Sequence, residues 1–298
     1  MVVQQHRSGG GARAVRALAV VGVMVAAAGC AGDGGGGGPV AADGRSGPGA
    51  VAAVRRAATV LVGTRTGPEA GSAQVSTSME TAAGGTRVTI RGKGAYDFRT
   101  QSGRLKVVLP QDAAGVDEHR PITELLAPGA LYMMNRGAGV PADKWVRIDT
   151  TTLADGNLVT GGVTDPLAAA ELLGGVSAVT YVGETDLAGV TVRHYRGTTD
   201  IGRAAGRASA RSRGALTAAA AGFRTDTVPF DAYLDEQGRL RKVRHRFSFA
   251  NGGPAREVVS TTLLYGFGVA VSVPLPDAHD IYTGEIEQGR RQGAADAP

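Results

Sequence analysis

Cysteine is almost absent from this chain: Cys30 is the only one in 298 residues. No intramolecular disulfide can form, so the fold must be held by its apolar core. Long hydrophobic runs are missing too. The twelve uncharged residues Ala17 to Ala28 would rise about 18 Å as a helix, against a hydrocarbon core of roughly 30 Å. No later apolar run is long enough to span a bilayer either, so the chain is not read as threading one. Metal motifs are lacking. The five histidines (His6, His119, His194, His245, His279) form no HxH or HxxxH pair, whereas zinc needs three or four converging ligands. His194 and His245 fall on expected strands and read as structural. No GxSxG elbow, P-loop or strand-to-helix GxGxxG occurs. The acid pairs Asp117-Glu118 and Asp235-Glu236 lie in turn-like stretches. These absences argue against an enzyme and against a bound cofactor or metal.

Charge of one sign is lacking as well. The formal net charge is +5, but Arg7, Arg13 and Arg16 precede Gly29 and no acid does. Beyond Gly29 stand 29 bases against 27 acids. That balance does not imply a nucleic-acid partner.

What the N-terminus does contain is an export pattern. Arginines precede the apolar stretch and small residues follow it. Its end, Ala27-Ala28-Gly29-Cys30, resembles a bacterial lipobox, with Ala27 where leucine is usual. The resemblance implies cleavage between Gly29 and Cys30, lipidation of Cys30, and a chain anchored to the extracytoplasmic face of the cell membrane. The alternative is an ordinary secretory signal with a chance cysteine. Residues 30–50 follow, with five consecutive glycines at 34–38. Such a segment cannot bury enough apolar surface to offset its chain entropy. It reads as a flexible tether about 25 Å in root-mean-square span.

The expected domain covers 51–286, followed by a fraying tail at 287–298. Val51, Val54, Ala58 and Leu61 have helical spacing, with Gly63 as a stop. Alternation then predicts strands around Ala73–Met79, Thr86–Phe98 and Arg104–Leu109. Gly84-Gly85 marks a hairpin turn, and Gly92 and Gly94 a bulge or bend. Ile122–Ala127 is ambiguous between strand and helix. Leu131–Asn135 and Lys144–Asp149 read as short strands, the second carrying the single tryptophan, Trp145. Asp165-Pro166 predicts a helix start, with Asp as N-cap and Pro in the first turn. Val176–Glu184 and Gly189–Thr199 form an expected hairpin, Ile201–Ala221 one helix. Three strands close the domain: Val228–Leu234, Leu240–Ala250 and Glu257–Phe267. The turn Asp235-Glu236-Gln237-Gly238 joins the first two, with a bulge expected near Arg241-Lys242. From about Pro274 the chain should be extended.

Two stretches carry a further likeness. Gly183 to Gly197 (GETDLAGVTVRHYRG), followed by Thr198-Thr199-Asp200, and Val228 to Val243 (VPFDAYLDEQGRLRKV), resemble the LppX/LprAFG-type lipoproteins of actinobacteria. Tyr233 stands where that family often has tryptophan. The order of lipobox, linker, sheet, Asp-Pro helix, hairpin, helix and three last strands is similar too. The resemblance implies an α+β fold: a curved antiparallel half-barrel sheet with helices covering its concave face, as in the related LolA and LolB carriers. It also implies a cavity for acyl chains. The residues themselves show only a half-apolar sheet with short helices to cover part of it.

On that basis Leu131, Met133, Val146, Ile148, Phe230, Phe247, Phe249, Leu263 and Tyr265 are the candidate ligand-lining residues. Burying an acyl chain yields roughly 0.8 kcal/mol per methylene. The rival reading is that they close a dry core. Arg203, Arg207 and Arg211, at i, i+4 and i+8 of the expected helix, are candidate contacts to anionic head groups; the alternative is a solvated helix face. The cluster Arg239, Arg241, Lys242, Arg244 and Arg246 admits the same two readings. The expected function is a monomeric, membrane-anchored lipoprotein that binds a lipid or other hydrophobic ligand in a half-barrel cavity, with transfer of that ligand as an option beyond binding. The alternative is an envelope interaction or signalling module with the same fold and no ligand.

Overall fold

The computed structural model describes residues 47–63, 71–83, 86–110, 120–137, 139–159, 164–223, 225–249 and 256–284. The signal, Cys30, most of the tether, the Gly84-Gly85 turn, the Asp117-Glu118 pair and the tail lie outside the described residues. No helix among them is long and apolar enough to cross a membrane.

The first element, α1 (Gly47–Gly63), begins four residues earlier than its spacing suggests. Ala50 is fully buried, as are Val54 and Ala57. The stripe Ala50-Val54-Ala57-Leu61 therefore pulls the first turn out of the expected tether. Eleven strands follow: β1 (Ser72–Ala83), β2 (Thr86–Asp97), β3 (Ser102–Val108), β4 (Ile122–Ala127), β5 (Ala130–Met134), β6 (Trp145–Asp149), β7 (Val176–Leu187), β8 (Val190–Asp200), β9 (Thr227–Leu234), β10 (Leu240–Phe249) and β11 (Arg256–Tyr265). They form one open antiparallel sheet in the order β6-β5-β4-β3-β2-β1-β11-β10-β9-β8-β7. The ambiguous Ile122–Ala127 is thus a strand. The last strand of the chain pairs with the first, closing the middle of the sheet rather than an edge.

Between β6 and β7 lies α2 (Pro166–Glu171), continued by a 3-10 turn at Leu172–Gly175. Asp165 caps it, accepting from the backbone N–H groups of Leu167 and Ala168 at 2.7 and 3.1 Å. The single helix expected over 201–221 is two, α3 (Ile201–Arg207) and α4 (Arg213–Gly222). Ala208 turns extended, and the Ser209 N–H donates to the Glu171 carboxylate at 3.1 Å instead of continuing the helix. Ser209 and Ser212 then bond each other's hydroxyls, the local competition that keeps serine out of helix interiors.

No register shift occurs at Gly92 or Gly94. The expected bulge is absent, and the glycine has another reason: a Cβ on Gly94 would lie 1.9 Å from the Arg104 carbonyl oxygen. The bulge in β10 is present, between Leu240 and Lys242. Gly238 takes φ +76° in the preceding turn. There the buried Asp235 carboxylate accepts from the Arg239 N–H and from both the Arg239 and Arg241 guanidinium groups, at 2.8–2.9 Å.

The helices cover one face of the curved sheet, its concave side. The buried layer divides into two apolar clusters. The larger joins α1 and α2 to residues of all eleven strands, from Ala73 and Val75 on β1 to Leu264 on β11. The second joins α3, α4 and Leu158 to Met79, Phe247, Phe249 and Val258. Beyond β11 the chain returns over the outer face. Val273 and Ile281 pack with Leu125 and Tyr132, and the Tyr282 N–H donates to the Trp145 carbonyl at 2.8 Å.

Candidate ligand-binding face

Strand parity decides which candidates share the concave face. Leu131 and Met133 on β5, Val146 on β6 and Phe230 on β9 are buried in the larger cluster, and Ile148 packs against it. Phe247 and Phe249 lie in the second cluster, where Phe223 tilts against both rings at 5.5 and 5.0 Å. Leu263 and Tyr265 are not on this face. Leu264, between them and opposite the likewise buried Val75, is the residue that faces the concave side. Leu263 pairs with Ser76 and Lys242, and Tyr265 is 43 % exposed on the outer side. Large side chains that the candidate set omits are Tyr96, Phe98, Leu105, Leu126 and Tyr195, all buried here. Alternation over Thr86–Phe98 already puts two of these, Tyr96 and Phe98, on one side.

The sheet supplies the large side chains and the helices supply mostly small ones. Ala50, Ala57, Ala168, Ala170, Ala204 and Ala219 are among the buried helix positions. An alanine buries far less apolar surface than a leucine, so each helix is held on the sheet less firmly than its length suggests. The described cavity next to Tyr96, Leu126, Asp165 and Ala168 measures about 40 Å³, room for water but not for an acyl chain. A larger groove of about 360 Å³ opens to solvent between α1 and α3, walled by Arg55, Thr59, Glu171, Arg207 and Ser209.

Several polar groups are buried in the apolar layer. Burial pushes the Glu124 carboxyl on β4 up to about 8, against a smaller opposing pull from Arg136. Neither of its oxygens has a partner among the described residues. Burial likewise raises Asp165 to about 6, although the Ala168 and Leu167 N–H groups and the Tyr96 hydroxyl favour its charged form. Tyr96 donates to Asp165 at 3.2 Å; its own pKa is raised by burial and then by the Asp165 charge. His245 is 1 % exposed, and burial drives its pKa down to about 3. It lies on β10 as a neutral ring, with Phe230 and Phe247 beside it.

The outer face has a different chemistry. Asp231 on β9 accepts from the Arg196 and Arg246 guanidinium groups at 2.9 Å and meets the His194 ring nitrogen at 2.8 Å. Burial opposes its ionisation, but these hydrogen bonds prevail and hold its carboxyl below the usual value. His194 stacks on Tyr233 at 4.3 Å. Arg239 and Arg241 are committed to Asp235 and lie over the Phe267 ring. The basic cluster is therefore largely engaged within the fold. The helix break also separates the three arginines expected in one row. Arg203 is exposed on α3, and Arg207 donates to the Gly174 carbonyl at 2.6 Å. Arg211 lies in the turn beyond α3 and donates to the Thr100 carbonyl at 3.3 Å. One His/Asp group, Asp277, His279 and Asp280, brings its ligand atoms within 4.8 Å of one another at the surface; exposed groups of this kind are common without an ion.

No protein-family model matches the chain, and no curated protein matches it. Among solved structures, the chain is similar to the lipoprotein LppX of Mycobacterium tuberculosis, at 12 % identity and a TM-score of 0.46, over 77 % of this chain and 100 % of that one. It is similar to LprF of Mycobacterium bovis at 12 % identity and a TM-score of 0.41, over 77 % and 98 % of the two chains. It is also similar to a putative outer membrane lipoprotein-sorting protein domain of Vibrio parahaemolyticus, at 9 % identity and a TM-score of 0.26, over 72 % and 88 %.

Proposed function

We propose that this chain is a membrane-anchored envelope lipoprotein whose half-barrel domain binds, and hands on, a lipid or other hydrophobic ligand between sheet and helices. Cys30 is the anchor and the segment before Gly47 the tether. Leu131, Met133, Val146, Ile148, Phe230, Phe247 and Phe249 are the lining residues. No catalytic role is assigned to any residue.

The observation that carries this reading is the unequal interface on the concave side. Large aromatic and aliphatic side chains stand on the sheet, while alanine-rich helices cover them. A ligand chain that replaces helix contacts there loses little packing and keeps the apolar floor. Each methylene transferred from water contributes roughly 0.8 kcal/mol, so a long chain offsets the cost of lifting one short helix.

Native mass spectrometry of the chain lacking residues 1–30, purified from a lipid-rich actinobacterial host, tests it. A bound mass that organic extraction removes, and that matches a lipid in the extract, is the expected result. A clean unliganded mass, with no uptake of fluorescent fatty acid, would overturn the carrier reading. The filled layer, with about 40 Å³ beside Tyr96, favours a second reading: an interaction module whose concave face is simply its core. A partner protein captured by the unliganded domain would support it.

A further inference from the structure

The two apolar clusters on the concave face do not meet along the central strands. Register places a polar seam between them. On β1, Thr77 stands between Val75 and Met79; on β11, Thr262 and Ser260 stand between Leu264 and Val258; on β10, His245 stands between Val243 and Phe247. Thr77 is directly opposite Thr262, and Ser260 is directly opposite His245. All four are buried, at 1–3 % exposure. Val75, Leu264 and Val243 belong to one cluster; Met79, Val258 and Phe247 belong to the other.

Part of the seam is satisfied. Thr164, just before α2, shares a hydrogen bond with Ser260 at 2.6 Å and donates to the Leu158 carbonyl at 2.8 Å. The rest is not: Thr77 Oγ1, Thr262 Oγ1 and His245 Nε2 have no partner among the described residues. Buried polar atoms are nearly always paired, because an unpaired one forfeits its hydration. One orphan hydroxyl on a sheet is a local accident. Three orphans on three adjacent strands, facing the same way, call for one shared partner.

We propose that this seam binds the uncharged hydrogen-bonding linkage of an amphiphile, an ester, hydroxyl or amide with hydrocarbon on both sides, whose two apolar arms lie in the two clusters. The inference rests on the carrier reading and adds to it the ligand's chemistry. Two threonine hydroxyls suit a carbonyl oxygen, to which either can donate. The imidazole is held neutral by burial, so it offers no charge to pair with a phosphate or carboxylate. A water molecule could meet the same atoms, and the test separates the two.

The test uses the full chain after Gly29 with Cys30→Ser, presented with decyl decanoate, which has a central ester, and with heneicosane, an alkane of equal chain length. Retained ligand is counted by native mass spectrometry. The expected result is a preference of about tenfold or more for the ester, the size of one well-made buried hydrogen bond. Thr77→Val/Thr262→Val, which keeps shape and removes both hydroxyls, should abolish that preference while alkane uptake stays the same. It should also raise the melting temperature of the empty chain, since the orphan hydroxyls are gone. Equal uptake of both probes by the parent chain would overturn the seam as a ligand site and leave the carrier reading standing; the seam then holds water only. Uptake of neither probe would overturn both. A double variant that keeps the preference, or that melts lower or fails to fold, would show that the hydroxyls are satisfied within the protein and would also overturn the proposal. His245→Leu provides a second variant on another strand and should weaken ester preference without affecting the alkane.

Discussion

Glu124 on β4 lies directly opposite Met133 on β5, on the concave face, and neither oxygen of its carboxyl is hydrogen-bonded among the described residues. A carboxyl in that place keeps its proton in the folded chain to a pH near 8, against an ordinary value of 4.5. Between those two values the unfolded chain has lost the proton and the folded chain retains it. Stability therefore falls as pH rises from about 4.5 to 8, by an amount on the order of a few kcal/mol. Glu124→Gln removes the titration and should flatten that fall, so the variant gains on the parent as pH rises. Melting temperatures of both chains from pH 4.5 to 8 check it. Parallel curves would mean that Glu124 has an unseen cationic partner.

The reverse sign holds for Asp231. Its folded pKa is depressed, so its stabilising effect is present above the ordinary 3.8 and is lost as pH falls below it. Asp231→Asn removes the negative charge and one of the two oxygens shared by Arg196, Arg246 and His194, and turns an amide NH2 donor toward them. The variant should melt lower than the parent at pH 7, and the gap should narrow below pH 4. A gap that persists unchanged to pH 3 would assign the loss to packing rather than to charge.

Asp165 combines a helix cap with an unfavourable charge. Asp165→Ala removes the acceptor for the Leu167 and Ala168 N–H groups and should cost about 1 kcal/mol or more. Asp165→Asn keeps an acceptor and drops the buried charge, whose pKa burial raises to about 6. At pH 7 the Asn variant should therefore melt above the Ala variant and at or above the parent. Denaturant midpoints of the three chains decide this, and an Asn variant as weak as Ala would deny the cap.

The local signals in the sequence were reliable where one residue type had one reason to be there. Asp165-Pro166 is a cap, Gly238 sits at a positive φ, and Val243, His245, Phe247 and Phe249 alternate cleanly on β10. The phase of β11 was not legible, and the cause is physical. Leu263-Leu264-Tyr265 is apolar in both phases, and the phase that the sheet buries holds Ser260 and Thr262. Hydroxyls favour solvent, so alternation alone puts Leu263 and Tyr265, rather than Leu264, on the concave face. Gly94 was misread because the sequence cannot say how near the Arg104 carbonyl will come. Glu124 went unnoticed because Ile122–Ala127 fitted strand and helix equally well. The break at Ser209 needed knowledge of a distant acceptor, Glu171, that only the tertiary fold supplies.

Attachment to the membrane should rest on the lipid and not on the arginines. A single guanidinium near an anionic surface is worth up to about 1 kcal/mol, and among the described residues Arg203 is the one of the expected three whose guanidinium has no bond to a backbone carbonyl. Arg207 and Arg211 each donate to one, on Gly174 and Thr100. Acyl chains on Cys30 would contribute about 0.8 kcal/mol per buried methylene, which exceeds that sum many times over. Cys30→Ser should move the chain from the membrane fraction to the soluble fraction. Arg203→Gln/Arg207→Gln/Arg211→Gln should leave it in the membrane, lower its melting temperature through the two lost carbonyl bonds, and change vesicle binding of the soluble form only a few-fold. Cell fractionation with both variants gives the answer. A Cys30→Ser chain that stays in the membrane, with the arginine variant released, would reverse the assignment and make α3 and the turn after it the docking surface.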